Sequence, residues 1–300
     1  MGNRPQLWTP EPCGFTWEGD TLDEITQAYS LFLEVCHPAH LVAFKERLTA
    51  EPAAARAEAA VFSWLSSARL APALNEDRSR GGMDFLCLPG QTDSFLLEVT
   101  SLRKEAITAK SGWPEQLTEE AAAFSMVTPQ ISRSIQHKMP QLAASPASVA
   151  RVLAICLSHP GASALLSTLA AEWVITSPPA LRSVIPKDGA PAGDPQMVTN
   201  LKQSAFFCIK EGRIEPARQC LSAILLVAVW DRQLEISGML HPAATKPFAY
   251  RLLRGVPFLR VDWPIIDGQI NTEWVIGDPA PLAHHHSRVS LTDAELKPAL

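Results

Sequence analysis

No two cysteines of this chain form a C-x-x-C pair, although six are present (Cys13, Cys36, Cys87, Cys156, Cys208 and Cys220). The commonest redox and zinc-ribbon spacings are thereby excluded. Cys87, Cys156 and Cys208 sit inside apolar runs, which predicts buried free thiols in a reducing, cytoplasmic setting. Long hydrophobic runs are missing as well. The two longest apolar segments are broken by His159-Pro160-Gly161 and by Asp231, and the opening MGNRPQLWTPEPCG holds no apolar stretch of signal-peptide length. Neither secretion nor a membrane partner is expected. There is no G-x-x-x-x-G-K loop and no G-x-S-x-G elbow, so nucleotide hydrolases and serine hydrolases lose their best signals. An excess of positive charge is also absent: 26 basic residues against 31 acidic ones leave a formal charge of −5. A protein that coats nucleic acid by bulk electrostatics is excluded, and any nucleic-acid role must be local.

What the chain does have is core-forming material. Of its 300 residues 47% are apolar and 19% charged, which supports a sizeable buried interior and rules out global disorder. Residues 1–20 read as an irregular arm. Thr21 and Glu24 form a capping box ahead of a helix with Ile25, Tyr29, Phe32 and Cys36 at helical spacing, closed by His37-Pro38. A second helix is predicted over about 39–50, and a third from Pro52 to Leu70. Met83–Leu88 and SFLLEVTSL read as two buried strands joined at Pro89-Gly90, that is, a hairpin. A helix over 128–142, a strand at 151–158, helices near 162–173, 198–210 and 216–221, a Pro- and Gly-rich loop at 177–196 and a strand at 223–230 follow. Alternating strands and helices predict an α/β fold.

Three acids lie in apolar surroundings. Glu58 stands three, four and seven positions before Val61, Phe62 and Leu65, which puts it on or beside the buried helix face. Asp84 and Glu98 each interrupt a strand that is apolar on both faces. On a hairpin two such residues can be cross-strand neighbours, roughly 5 Å apart at Cβ. Carboxylates gathered in a dry place repel one another unless a cation is supplied, and oxygen-only ligands favour Mg2+ or Mn2+ over zinc. The bland alternatives are a surface Glu58 paired with Arg56 or Arg69, an Asp84 that caps the glycine turn, and a Glu98 in a buried ion pair with Arg103 or Arg133.

The segment GGMDFLCLPGQTDSFLLEVTSL, preceded by the helical Glu58, resembles the core of the PD-(D/E)XK nuclease superfamily, the restriction-endonuclease-like proteins. The likeness spans roughly residues 52–158. It implies a restriction-endonuclease-like αβββαβ core with a mixed central sheet flanked by helices, with N- and C-terminal helical additions. Residues 1–51 would be an arm and helices packed on the core, 52–240 the nuclease core with 177–196 as an inserted loop, and 241–300 a C-terminal extension. The resemblance implies Glu58 as the helix acid and Asp84 and Glu98 as strand ligands of Mg2+ (or Mn2+), with the Val99 main-chain carbonyl facing the same ion. The lysine of the family's tripeptide is replaced by Thr100, and Lys138 on the following helix is the candidate substitute; Lys104 is the weaker one. Arg78 and Arg80 are placed to touch nucleic acid. The implied activity is metal-dependent phosphodiester hydrolysis as a DNA endonuclease; the alternative is a catalytically silent binding or assembly module, with a homodimer or a protein partner compatible with either.

Two further features stand outside that reading. His284, His285 and His286 are consecutive, which suits a solvated tail better than a metal site. Lys246, Arg251, Arg254 and Arg260 fall in a stretch without acids, interleaved with Phe248, Tyr250 and Phe258. It reads either as a phosphate-contacting edge or as a solvated face.

Overall fold

The computed structural model describes residues 11–17, 19–75, 82–102, 120–158, 166, 168–177, 180–182, 196–198, 201–266, 269–277 and 286–290. The chain is a mixed α/β protein. It opens with β1 (Cys13–Thr16), which pairs antiparallel with a later strand, so residues 11–17 are not the irregular arm that their prolines suggested. Three helices follow: α1 (Leu22–Cys36), α2 (Pro38–Ala50) and α3 (Pro52–Ser67). The capping box that starts α1 forms as expected, with Thr21 and Glu24 bonded reciprocally. Its buried stripe runs through Ile25, Tyr29 and Leu33 and leaves Cys36 exposed. Prolines at the first positions of α2 and α3 turn the chain twice without losing an internal hydrogen bond.

Next come β2 (Ala73–Leu74), β3 (Phe85–Cys87), β4 (Phe95–Ser101), α4 (Glu120–Ala144), β5 (Ala150–Leu157) and α5 (Thr168–Thr176). Strands β2, β3 and β4 form an antiparallel meander, and β5 lies parallel to β4. The remaining strands are β6 (Ala180–Arg182), β7 (Gln196–Val198), β8 (Phe207–Lys210), β9 (Arg213–Pro216), β10 (Ala223–Val229), β11 (Gln233–Leu240), β12 (Pro257–Val261), β13 (Gln269–Ile276) and β14 (His286–Ser290). The helices expected near 198–210 and 216–221 are therefore absent; their place is taken by turns and the hairpin β8–β9. The expected C-terminal helical addition is likewise a set of strands, β12 to β14, which extend the central sheet.

That sheet has ten strands in the order β14-β13-β12-β11-β10-β5-β4-β3-β2, with β1 on the first half of β11. Strands β4, β5 and β10 run parallel in its middle. They are buried on both faces, and the side-chain alternation of a strand sorts them into two cores. Leu153, Ile155 and Leu157 with Ile224 and Leu226 pack under α4 and α5, whereas Val152, Ala154 and Cys156 with Leu225 and Val227 pack under α1 to α3. Cys87 and Cys156 are buried free thiols, but Cys208 is exposed. No helix among the described residues is long and apolar enough to cross a membrane.

One contact on this sheet is tight enough to predict from. A methyl group added at Gly238 would overlap the ring of Phe258, which is fully buried. Since neither the ring nor the paired strands can yield freely, Gly238→Ala is expected to cost about 2 to 3 kcal/mol in urea unfolding. An unchanged midpoint would show that the two strands are less closely held.

Candidate active site

The hairpin β3–β4 brings two of the three acids together. Phe85 faces Leu97, Leu86 faces Leu96 and Cys87 faces Phe95. Carried one residue further, the same register sets Asp84 opposite Glu98. β3 has ended at that point, so the Val99 amide donates to the Asp84 carboxylate Oδ2 at 2.7 Å. A side chain has replaced the missing strand.

Alternation along β4 then fixes where Glu98 goes. Phe95 and Leu97 belong to the core beneath α3, and Leu96 to the core beneath α4. Glu98 therefore points toward α4, and Thr100, two residues on, shares its face. On that side Lys138 of α4 donates to Glu98 Oε1 at 2.5 Å. Gln141, one helical turn later, donates to Oε2 at 2.8 Å and also bonds the Gly82 carbonyl. Each oxygen of the carboxyl group thus meets its own donor from α4. Lys138 further donates to Gln141 Oε1 at 3.3 Å, which ties the pair into one unit.

The electrostatics are severe. Glu98 is 2% exposed. Burial first, and the charge of Asp84 second, push its carboxyl up to about 8, against the opposing pull of Lys138 and Gln141. Asp84, Glu98, Val99, Lys138 and Gln141 line one groove of about 750 Å³, together with Arg47, Asn75 and Gly82. This is a solvent-reaching cleft with a buried carboxyl at its floor.

Glu58 lies outside that groove, in a smaller pocket that it lines together with Asp84, Tyr29 and Arg47. It sits under α1 and α2, where the Tyr29 hydroxyl donates to its Oε1 at 2.9 Å and Arg47 of α2 pairs with its Oε2 at 2.5 Å. Burial and the charge of Glu58 hold the Tyr29 phenol far above its usual value, so it remains a donor. Among the described residues no three His, Cys, Asp or Glu side chains form a group able to hold a metal ion. The sheet separates Glu58 from Glu98, since α3 packs on one face while Glu98 projects from the other, and Asp84, just before β3, borders the pockets of both. Arg47 links the two regions, since it lines the groove and binds Glu58.

Two of the arginines named as alternative partners make other contacts among the described residues. Arg56 pairs with Asp23, and Arg133 bonds Gln130 instead of Glu98. Arg78, Arg80, Arg103, Lys104, His284 and His285 lie outside the described residues. Two functional neighbours escaped the sequence reading, Gln141 and Arg47. Gln141 could have been found as the residue three positions after Lys138, hence on the same helix face. Arg47 carried no such signal, because its contact with Glu58 is made between helices.

Comparison with protein-family models, with curated proteins and with solved structures finds no match to this chain.

Proposed function

We propose that the chain is a divalent-metal-dependent phosphodiester hydrolase acting on DNA, with Asp84, Glu98 and Lys138 at its centre. One observation carries the reading: the Lys138 ammonium meets Glu98 on the strand face shared with Thr100, where the resemblance expects a lysine. The order α3-β2-β3-β4-α4-β5, with an antiparallel meander followed by a parallel strand, supports a restriction-endonuclease-like core.

The donor set fits Mg2+ or Mn2+. Asp84 and Glu98 offer hard oxygens, and burial together with the charge of Asp84 raises the proton affinity of Glu98, a cost that a bound cation would offset. Asp84, Glu98 and the Val99 carbonyl would hold the ion. When bound, it makes water a better nucleophile and offsets charge on the phosphate. Glu98 must lose its proton to serve as a ligand, so cation affinity should rise with pH up to about 8. Lys138 offsets charge on a non-bridging phosphate oxygen and orients the attacking water, the task a tripeptide lysine would perform. Gln141 holds the second Glu98 oxygen in place. Thr100, half-buried two residues after Glu98, contributes no charge.

A second reading, a silent binding or assembly module, is favoured by one fact: Glu58 is already satisfied by Arg47 and Tyr29. Supercoiled plasmid and single-stranded DNA, incubated with MgCl2 or MnCl2 and with EDTA as control, separate the two. Metal-dependent nicking is the expected result. No cleavage with either ion, and no heat on titrating the ion into the protein, would leave only the module.

A further inference from the structure

We propose that a second, cationic groove at the C-terminal end of α3 binds the phosphate backbone of nucleic acid outside the hydrolytic centre; the choice of ligand rests on the phosphodiester reading above. The groove measures about 770 Å³, and Arg69, Arg251 and Arg254 line it with Ser67 and Gln91 but without any acidic residue. All three arginines are exposed. Four other arginines, Arg47, Arg56, Arg232 and Arg260, are paired with carboxylates, whereas these three form no ion pair among the described residues. In a chain of net charge −5, three unopposed guanidinium groups in one groove mark a local reversal of sign.

The backbone adds an independent observation. Helix α3 ends with Leu70 N–H on Leu65 C=O and Arg69 N–H on Ser66 C=O, each at 3.0 Å. This doubly bonded stop requires a left-handed residue, and Arg69 has φ of +60°. Glycine meets that requirement with the least strain. Arg69 shares this conformation with Ala71 and Leu88 nearby, and the turn sets its side chain at the rim of the groove. Opposite it, the Arg251 guanidinium lies 5.9 Å from the centre of the Tyr250 ring, which limits its freedom before any ligand arrives.

Guanidinium forks match pairs of phosphate oxygens. Three of them, supplied by two separate chain segments, suit a ligand that repeats its charge, and duplex DNA carries one negative charge per about 1.7 Å of axis. Leu88 and Gln91 of the β3–β4 turn line this groove, whereas Asp84 and Glu98 stand at the other end of the same hairpin, so contacts here would hold flanking backbone and leave the scissile phosphate to Lys138.

The test uses the full chain in EDTA, a fluorescent duplex, and anisotropy over a salt series. Arg69→Gly combined with Arg251→Ala and Arg254→Ala is expected to weaken binding at least about tenfold and to lower the slope of log affinity against log salt by roughly two to three. Arg69→Gly alone should melt at an unchanged or higher temperature, because glycine relieves the left-handed strain. Unchanged affinity and slope in the triple variant would overturn the proposal. So would arginine-dependent capture of phosphatidylserine–phosphatidylcholine vesicles or of polyglutamate in preference to the duplex. Since no metal is present, the result stands apart from hydrolysis. Arginine-dependent duplex binding without any cleavage in manganese keeps the groove and sinks the hydrolytic centre; cleavage with arginine-independent binding does the reverse.

Discussion

Asp84→Asn is expected to slow plasmid cleavage in manganese by on the order of a thousandfold, while raising the melting temperature of the metal-free protein by several degrees at pH 8. The two effects share one cause. Asp84 lies opposite Glu98 in the hairpin register and its charge helps to push that carboxyl upward. Asparagine keeps an oxygen that can accept the Val99 amide, a bond of 2.7 Å in the native chain, so the backbone contact survives. What disappears is a negative charge that would bind the ion when present and repels Glu98 when it is absent. Relief of that repulsion is worth about 1 to 2 kcal/mol, or roughly 2 to 4 °C per kcal/mol in a chain of this size. A purely structural aspartate predicts the opposite sign in the melt. Should Asp84→Asn melt lower at pH 8 without metal, the charge was stabilising the fold and its assignment as an ion ligand falls.

The reason Asp84 and Glu98 could be found without coordinates is that a hairpin converts sequence spacing into geometry. Two apolar strands around Pro89-Gly90 leave few registers, and an acid inside each strand has to face its counterpart or water. Lys138 was accessible for a similar reason: it lies on the helix that follows β4, and a connection between parallel strands must cross the sheet face. Glu58 was harder. Helical periodicity placed it on the buried side of α3, correctly, since it is only 7% exposed. Periodicity says nothing about which face of the sheet that side covers, nor that Arg47 and Tyr29 of two other helices would reach it. The β8–β9 hairpin was missed for a local reason. FCIKEGRIEP carries strand alternation about a two-residue Glu-Gly loop, and both Glu211 and Gly212 adopt the positive φ of a tight hairpin. Flanking apolar residues at helical spacing masked that signal.

The second large effect belongs to Lys138. Lys138→Met is expected to lower cleavage by about a hundred- to a thousandfold, because among the described residues its ammonium is the cation bonded to the carboxyl at the groove floor. Lys138→Arg, which keeps the charge but not the compact shape, should recover part of that loss. Loss of activity alone would not separate a catalytic amine from one that merely holds Glu98, so the pH dependence of metal-free stability supplies the second readout. In the native chain burial and the charge of Asp84 push the folded Glu98 carboxyl up to about 8, above its unfolded value near 4.3. The folded state therefore binds more protons than the unfolded state between those limits, and stability attributable to this group falls as pH rises through that window. Removing Lys138 withdraws one of the influences that lower the Glu98 value. The upper limit of the decline should then move above pH 8, and subtracting the Glu98→Gln variant, which lacks the titrating group, isolates that movement from every other acid in the chain. An upper limit left in place by Lys138→Met would mean that the ammonium and the carboxyl are not electrostatically joined in solution. The lysine would then have no claim to the position that Thr100 leaves vacant.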